Sequence, residues 1–251
     1  MDYIITGAGS GMGRATAIVL SKLKDARIIL VGRTRESLEA TKQLCDKPSN
    51  HFVCSFDVRV ATEWQKHLSS IPNLNLHGLF ANAGIGGGNS YGNEDRWEEI
   101  ISINLTGTYV TIHECLPYLT RCTEVWRNIV ITSSCLARFG VPGYTAYCTS
   151  KTGLLGLTRS LALSLADDRI LVNALCPGWV ETEMAKAGIQ RLADFTETPY
   201  EVEFKNQMDL VPLKKISQPE EIARWVEFLF VGKQNSMTGQ AIDVNNGSFM
   251  I

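Results

Sequence analysis

Two groups of residues in this 251-residue chain have the types and spacing to do chemistry. The first is the run Thr6-Gly7-Ala8-Gly9-Ser10-Gly11-Met12-Gly13, which follows a short apolar segment and precedes a helix-like one. Glycines at a strand-to-helix turn let the backbone come close to a pyrophosphate. The helix N-terminus there offers unpaired N–H groups and the positive end of its dipole. The spacing is T-G-x-x-x-G-x-G, because Met12 and Arg14 stand where G-x-G-x-x-G wants glycine. The second group is Tyr147 and Lys151, four residues apart. On a helix such a pair shares one face, one turn apart. A phenol ordinarily titrates near pH ~10, too high for efficient proton transfer at neutrality. Bringing it to about 7 needs roughly 4 kcal/mol of preference for the phenolate.

The elements that must position these groups alternate in kind. Short β-branched or apolar runs predict strands at 2–6, 26–32, 51–57, 76–84, 127–134, 169–178 and 240–247. Longer periodic stretches predict helices at 12–24, 34–46, 94–120, 146–166 and 219–232. This alternation implies the α/β class: a single doubly wound, mostly parallel β-sheet with helices on both faces, a Rossmann fold. No linker, repeat or low-complexity tract divides the chain, so 1–251 reads as one dinucleotide-binding and catalytic domain. The exception to the rhythm is 183–215, which is polar, weakly periodic and broken by Gly188, Pro199 and Pro212. Such a stretch is expected to be a lid or substrate loop.

Composition excludes several classes. Apolar residues make up 45% and charged residues 20%, with a formal charge of -2. That is an ordinary globular balance with no basic surplus for nucleic acid or an anionic membrane. No apolar run approaches the ~20 residues of a membrane span, and the strand pattern starts at Tyr3, so no signal peptide is expected. The seven cysteines form no C-x-x-C pair and read as reduced thiols, which fits a cytoplasmic protein. His51, His67, His77 and His113 lack metal-ligand spacing, so no metal is expected. There is no G-x-S-x-G elbow for a hydrolase.

The motifs, in order, resemble the short-chain dehydrogenase/reductase family, in particular its NADP-preferring 3-oxoacyl-reductase-like members. The glycine run is followed by Asn82-Ala83-Gly84 where the family has N-N-A-G, with Ala81 in place of the first asparagine. Tyr147-Cys148-Thr149-Ser150-Lys151 matches its Y-x-x-x-K. Ser134, thirteen residues before Tyr147, stands at the spacing of the catalytic serine, with Ser133 as the competing choice. Pro177-Gly178, with Val180 and Thr182 after it, resembles the motif behind the nicotinamide, and Asp57-Val58 the pair that contacts adenine. The resemblance implies that Tyr147 exchanges a proton with the substrate oxygen and Ser134 hydrogen-bonds that oxygen. Lys151 and a bound oxidised nicotinamide together lower the phenol, and Lys151 also holds the ribose. Asn104, matching the S-x-N-x-x-G spacing, is the helical asparagine that holds a water in the relay to Lys151.

An acid at the end of the second strand would bond the adenosine ribose and repel a 2′-phosphate. Gly32 stands there instead, followed by Arg33 and Thr34. Arginine can pair a phosphate bidentately, and Ser10 and Thr34 can add hydroxyl bonds, so NADP(H) is expected over NAD(H). The expected partner is a small carbonyl or alcohol, shaped by 85–93, 135–144 and 183–215, with Phe139, Val141, Tyr144, Met184, Phe195 and Tyr200 as apolar contacts. A 3-oxoacyl carrier-protein reductase is an alternative within the family. A non-catalytic NADP sensor or scaffold is the alternative of another class, and it has no need of Ser134, Tyr147, Lys151 and Asn104 together. The resemblance further implies a homotetramer or homodimer built on the helices at 94–120 and 146–166.

Overall fold

The computed structural model describes residues 1–121, 125–232 and 234–250. Its strands are β1 (Asp2–Thr6), β2 (Arg27–Gly32), β3 (Phe52–Ser55), β4 (Leu76–Ala81), β5 (Arg127–Thr132), β6 (Ile170–Pro177) and β7 (Ala241–Val244). They form one seven-stranded sheet in the order β3-β2-β1-β4-β5-β6-β7, and every pair is parallel. The helices are α1 (Gly11–Ser21), α2 (Arg35–Leu44), α3 (Ala61–Ser69), α4 (Trp97–Ile101), α5 (Gly107–Leu119), α6 (Thr145–Ser164), α7 (Glu183–Phe195), α8 (Tyr200–Leu210) and α9 (Pro219–Val231).

Successive strand residues face opposite sides of a sheet. Ile4, Ile29 and Val31 therefore join one core with Trp64 of α3, Ile112 of α5 and Leu154 of α6. Tyr3, Ile5, Ile28 and Leu30 join the other, with Leu20 of α1, Leu38 of α2 and Val226 of α9. Burial on both faces explains why the strands read as near-continuous apolar runs. The strand order reverses between β1 and β4. The loops leaving their carboxyl ends turn to opposite faces and open a crevice, the usual ligand position in such sheets.

Two expectations are corrected. The helix over 94–120 starts at Trp97 and is interrupted by a π-helical turn at Ser102–Thr106. The fully buried Asn104 lies in that turn, its amide oxygen accepting the Ile85 N–H of a neighbouring loop. The stretch 183–215 is not an irregular loop but largely the two helices α7 and α8. Thr182 caps α7 by accepting the Ala185 N–H at 3.2 Å. The buried stripe of α7 is Ala185, Gly188, Ile189 and Ala193, in which only Ile189 is a large apolar residue. Pro199 immediately precedes α8 and Pro212 follows its end, positions where proline bounds a helix without breaking it. Among the described residues no helix is long and apolar enough to cross a membrane. The six described cysteines are free thiols, and Cys122 lies outside the described residues.

Candidate active site

The glycine run forms the turn between β1 and α1. A Cβ on Gly13 would fall inside contact distance of the Gly7 carbonyl oxygen and 2.9 Å from Asn82 Nδ2, so only glycine lets this turn lie flat. Asn82 is held in turn: its Nδ2 donates to Thr6 O at 3.0 Å and its Oδ1 accepts from Thr132 Oγ1 at 3.1 Å. Thr6 Oγ1 also accepts the backbone N–H groups of Asn82 and Ala83, both at 2.9 Å. Hydroxyls from β1 and β5 thus lock the loop after β4 against the glycine turn.

Ser134, two residues past β5, and Tyr147, in the first turn of α6, come together in the fold, with the Ser134 hydroxyl placed to favour the Tyr147 phenolate. Ser134 Oγ also accepts the Leu136 N–H at 3.1 Å. Ser133 has a different place: its hydroxyl donates to Lys151 O at 2.8 Å and ties α6 to the sheet. Lys151, one turn beyond Tyr147, is 5% exposed. Its Nζ donates to Thr132 O at 2.9 Å and lies 5.6 Å from the Tyr147 ring centroid.

Burial dominates the electrostatics of this pair. It pushes the Tyr147 phenol up to about 12, against a smaller downward pull from the Ser134 hydrogen bond. It brings the Lys151 ammonium down to about 8. Desolvation penalises both charged forms in one pocket, which moves the phenol upward and the ammonium downward. The Asn104 amide does not bond Lys151. Its Oδ1 accepts the Ile85 N–H at 2.8 Å and its Nδ2 donates to Ile85 O at 3.0 Å and Ser150 Oγ at 3.3 Å. It therefore pins the segment that follows Gly84 to the π turn.

A cleft of about 500 Å³ opens at this point. Met12, Asn82, Gly84, Ser134, Tyr147 and Lys151 line it, as do Pro177, Gly178, Val180 and Thr182 on the β6 side. Gly7, Gly9, Ser10, Gly11, Gly13, Ala83 and Asn104 are not among its lining residues. Nor are Arg33, Thr34, Asp57 and Val58, which stand at or just beyond the ends of β2 and β3.

The model of the short chain dehydrogenase family matches residues 3–192. The chain is a short-chain dehydrogenase. It is 30% identical over 250 residues to the 3-oxoacyl-(acyl-carrier-protein) reductase of Buchnera aphidicola subsp. Schizaphis graminum, covering 98% of this chain and 96% of that protein. The enzyme of that name from Aquifex aeolicus is 31% identical, again over 98% and 96%. Among solved structures, actinorhodin polyketide ketoreductase with NADPH superposes with a TM-score of 0.90 at 31% identity, covering 98% and 96%. Levodione reductase superposes with a TM-score of 0.88 at 25% identity, over the same shares. The chain is an oxidoreductase acting on CH–OH and C=O groups with a nicotinamide cofactor. The residues present fit that group: the flat glycine turn leaves free backbone N–H groups at the start of α1, where a Cβ on Gly13 would close the cradle.

In this dehydrogenase Arg33 and Thr34 are exposed just past β2. Ser55 Oγ donates to Arg33 O at 2.9 Å, joining the β2 and β3 tips. Asp57 is already engaged: Arg59 donates to its two carboxylate oxygens at 3.0 and 2.7 Å and holds its carboxyl below the usual range. Of the expected apolar contacts, Phe139, Val141, Tyr144 and Met184 line the cleft. Phe195 is 87% exposed on the outer side of α7, and Tyr200 lines a separate surface groove between α7 and α8. Four positions went unread in the sequence. Thr6 and Thr132 act through the bonds above. Ser150 bonds Asn104. Arg14 pins the glycine turn, bonding Gly9 O and donating to Thr41 Oγ1 at 3.1 Å. Only Thr6 had a signal, as the first letter of the glycine motif.

Proposed function

We propose that this dehydrogenase is an NADP(H)-dependent reductase of ketones, running also as a secondary-alcohol dehydrogenase, with Ser134, Tyr147, Lys151 and Asn104 as its catalytic group. The observation that carries the reading is that Ser134, Tyr147 and Lys151 line one cleft together with Met12 of the glycine run. Gly7 to Gly13 would hold the pyrophosphate, with Asn82, Ala83 and Gly84 on its sheet side and Pro177, Gly178, Val180 and Thr182 behind the nicotinamide. Arg33, with Ser10 and Thr34, would bond the 2′-phosphate, and Asp57-Val58 the adenine. Such a cofactor supplies or accepts the hydride at the carbonyl carbon.

Ser134 donates a hydrogen bond to the substrate oxygen and aligns it with Tyr147 Oη. Tyr147 gives its proton to that oxygen as negative charge develops there. Lys151 orients the ribose and returns the proton through a water held at Asn104. A phenol near 12 is a poor acid/base at neutral pH, so the positive charge brought by an oxidised nicotinamide, together with Lys151, must lower it on binding. The α7–α8 segment is the lid over the substrate, supported by Met184 and Gly188 in the cleft wall.

The closest alternative in chemistry is reduction of a 3-oxoacyl thioester, supported by the names of the relatives at 30–31% identity. The free thiols support a reducing, cytoplasmic setting. Exposed Tyr109 on α5 and Leu163 on α6 support assembly as a homodimer or homotetramer through those helices. The test is a spectrophotometric panel of ketones, aldehydes, sugars and acyl thioesters with NADPH and with NADH. Turnover with NADPH is expected, and Tyr147→Phe should lose about 10²–10⁴-fold in rate while keeping cofactor affinity. A Tyr147→Phe enzyme within threefold of wild type would sink this mechanism, and binding without turnover on any carbonyl would mark a sensor.

A further inference from the structure

The substrate end of the cleft carries an unusual convergence of charge. Gly87 has φ +109, and a Cβ built on it would lie 2.7 Å from Arg96 Nη1 and 2.9 Å from Arg191 Nη1. Two guanidinium groups therefore stand over one glycine. Arg96 is anchored, its Nε donating to Glu99 at 2.7 Å and its Nη1 to Gly86 O at 3.2 Å. Arg191 has no hydrogen bond and no ion pair among the described residues. In contrast, Arg27, Arg35, Arg59 and Arg138 each pair with a carboxylate. Arg191 lines the cleft, and no Asp or Glu does.

Helix geometry explains the placement. Met184, Gly188 and Arg191 follow the i, i+4, i+7 spacing of one helical face. Met184 lies against Gly86, where a Cβ would meet its Cγ at 2.8 Å, and Arg191 lies against Gly87. The lid helix thus lays a stripe along the loop after β4 and ends it with a free positive charge. At the other end of that loop a Cβ on Gly84 would be 3.6 Å from Lys151 Nζ. Gly84 and Gly87 are three residues apart, at most about 10 Å of extended chain.

We propose that the substrate of this dehydrogenase bears its own oxyanion, a carboxylate or phosphate a few bonds from the reacting carbonyl, and that Arg191, backed by Arg96, is the specificity residue that binds it. Arg191 stands in a cleft wall that carries no Asp or Glu, beside the Glu99-paired Arg96, so an anion there would meet an uncompensated positive charge with no competing carboxylate in the lining. The planar fork of an arginine matches the two oxygens of such a group. The inference rests on the carbonyl-reductase reading and adds the class of substrate. The short reach from Gly84 to Gly87 favours short oxo acids. A longer pantetheine arm would bring its phosphate to the same fork.

The test uses matched pairs on the NADPH-loaded enzyme: linear oxo acids of graded length against their methyl esters, and a 3-oxoacyl phosphopantetheine thioester against the pantetheine thioester. Wild type, Arg191→Gln and Arg191→Lys are compared, with calorimetric titration of the same oxo acids into the enzyme–NADP+ complex. Wild type should favour the charged member of a pair. Arg191→Gln should collapse that ratio in kcat/KM by about ten- to a hundredfold, mainly through KM, with partial rescue by Arg191→Lys. Separation within the oxo-acid pairs identifies a carboxylate, and separation within the thioester pair a phosphate. A charged-to-neutral ratio unchanged by Arg191→Gln overturns the inference while leaving carbonyl reduction in place. If no carbonyl is turned over, the reductase reading falls. The titrations then decide the anion site alone, since equal affinity in wild type and Arg191→Gln removes it.

Discussion

At the scale of single residues, Lys151 has the clearest thermodynamic signature. Its ammonium titrates near 8 in the folded protein against an ordinary 10.5. Between those values the unfolded chain holds a proton that the folded chain has released. This group therefore adds stability as pH rises from about 8 to 10.5, and that stability is lost as pH falls through 8. The full difference is about 3 kcal/mol. Urea unfolding of wild type and Lys151→Met across that range should give curves that converge toward the alkaline end, with the variant relatively more stable at neutral pH. Parallel pH profiles would show that the lysine keeps its charge at little cost. Cofactor choice also belongs here. A Cβ on Gly32 would come within 3.3 Å of a Leu38 methyl, a side-chain tip able to yield. The double change Gly32→Asp/Arg33→Ala should thus be tolerated. It removes a fork worth roughly 1.5–3 kcal/mol to a phosphate and sets a carboxylate against it. The kcat/KM preference should swing from NADPH to NADH at fixed ionic strength, although the two effects need not add. A wild-type enzyme that already prefers NADH overturns this reading of the β2 tip.

At the scale of elements, the π turn and the loop after β4 act as one unit through Asn104. Its amide uses both an acceptor and a donor on the Ile85 backbone. Asn104→Asp keeps the acceptor and loses the donor, leaving Ile85 O facing a carboxylate in a buried place. A cost of about 1–3 kcal/mol is expected. The loosened loop should raise KM for substrate as well as lower kcat, and amide exchange at 84–87 should quicken. Unchanged exchange with reduced kcat alone would confine Asn104 to the proton relay.

At the scale of the whole molecule, ligand binding adds to stability. A ligand at about 100 times its dissociation constant adds about 2.7 kcal/mol to a protein that binds it only when folded. NADPH should therefore raise the melting temperature more than NADH at equal concentration, independently of any turnover. Leu163 is 83% exposed on α6 and Tyr109 is 53% exposed on α5, apolar groups that assembly through those helices would cover. Leu163→Glu should shift the sedimentation coefficient toward the monomer. A monomeric wild type would remove α6 as an assembly surface.

Much of this was legible in the residues themselves, and for local reasons. Tyr3 to Ile5 and Ile28 to Val31 read as strands because both sheet faces are buried, which makes the whole run apolar. The glycine turn and the placing of Tyr147 and Lys151 one turn apart on α6 were legible because both depend on spacing along one turn or one helix. The limits of α7 and α8 were not. The α7 stripe is built of Ala185, Gly188, Ile189 and Ala193, three small residues and one large one, which leaves a weak apolar period. Equally hidden was the division of labour between Ser133 and Ser134, adjacent in sequence but turned to different partners by the alternation of a strand end. The direction of the Tyr147 and Lys151 shifts was a tertiary decision, because desolvation depends on every element that closes over the pair. So was the meeting of Arg96 and Arg191 above Gly87. They come from α7 and the residue ahead of α4, far apart in the chain, and only the packing of α7 along the loop after β4 brings them to one point.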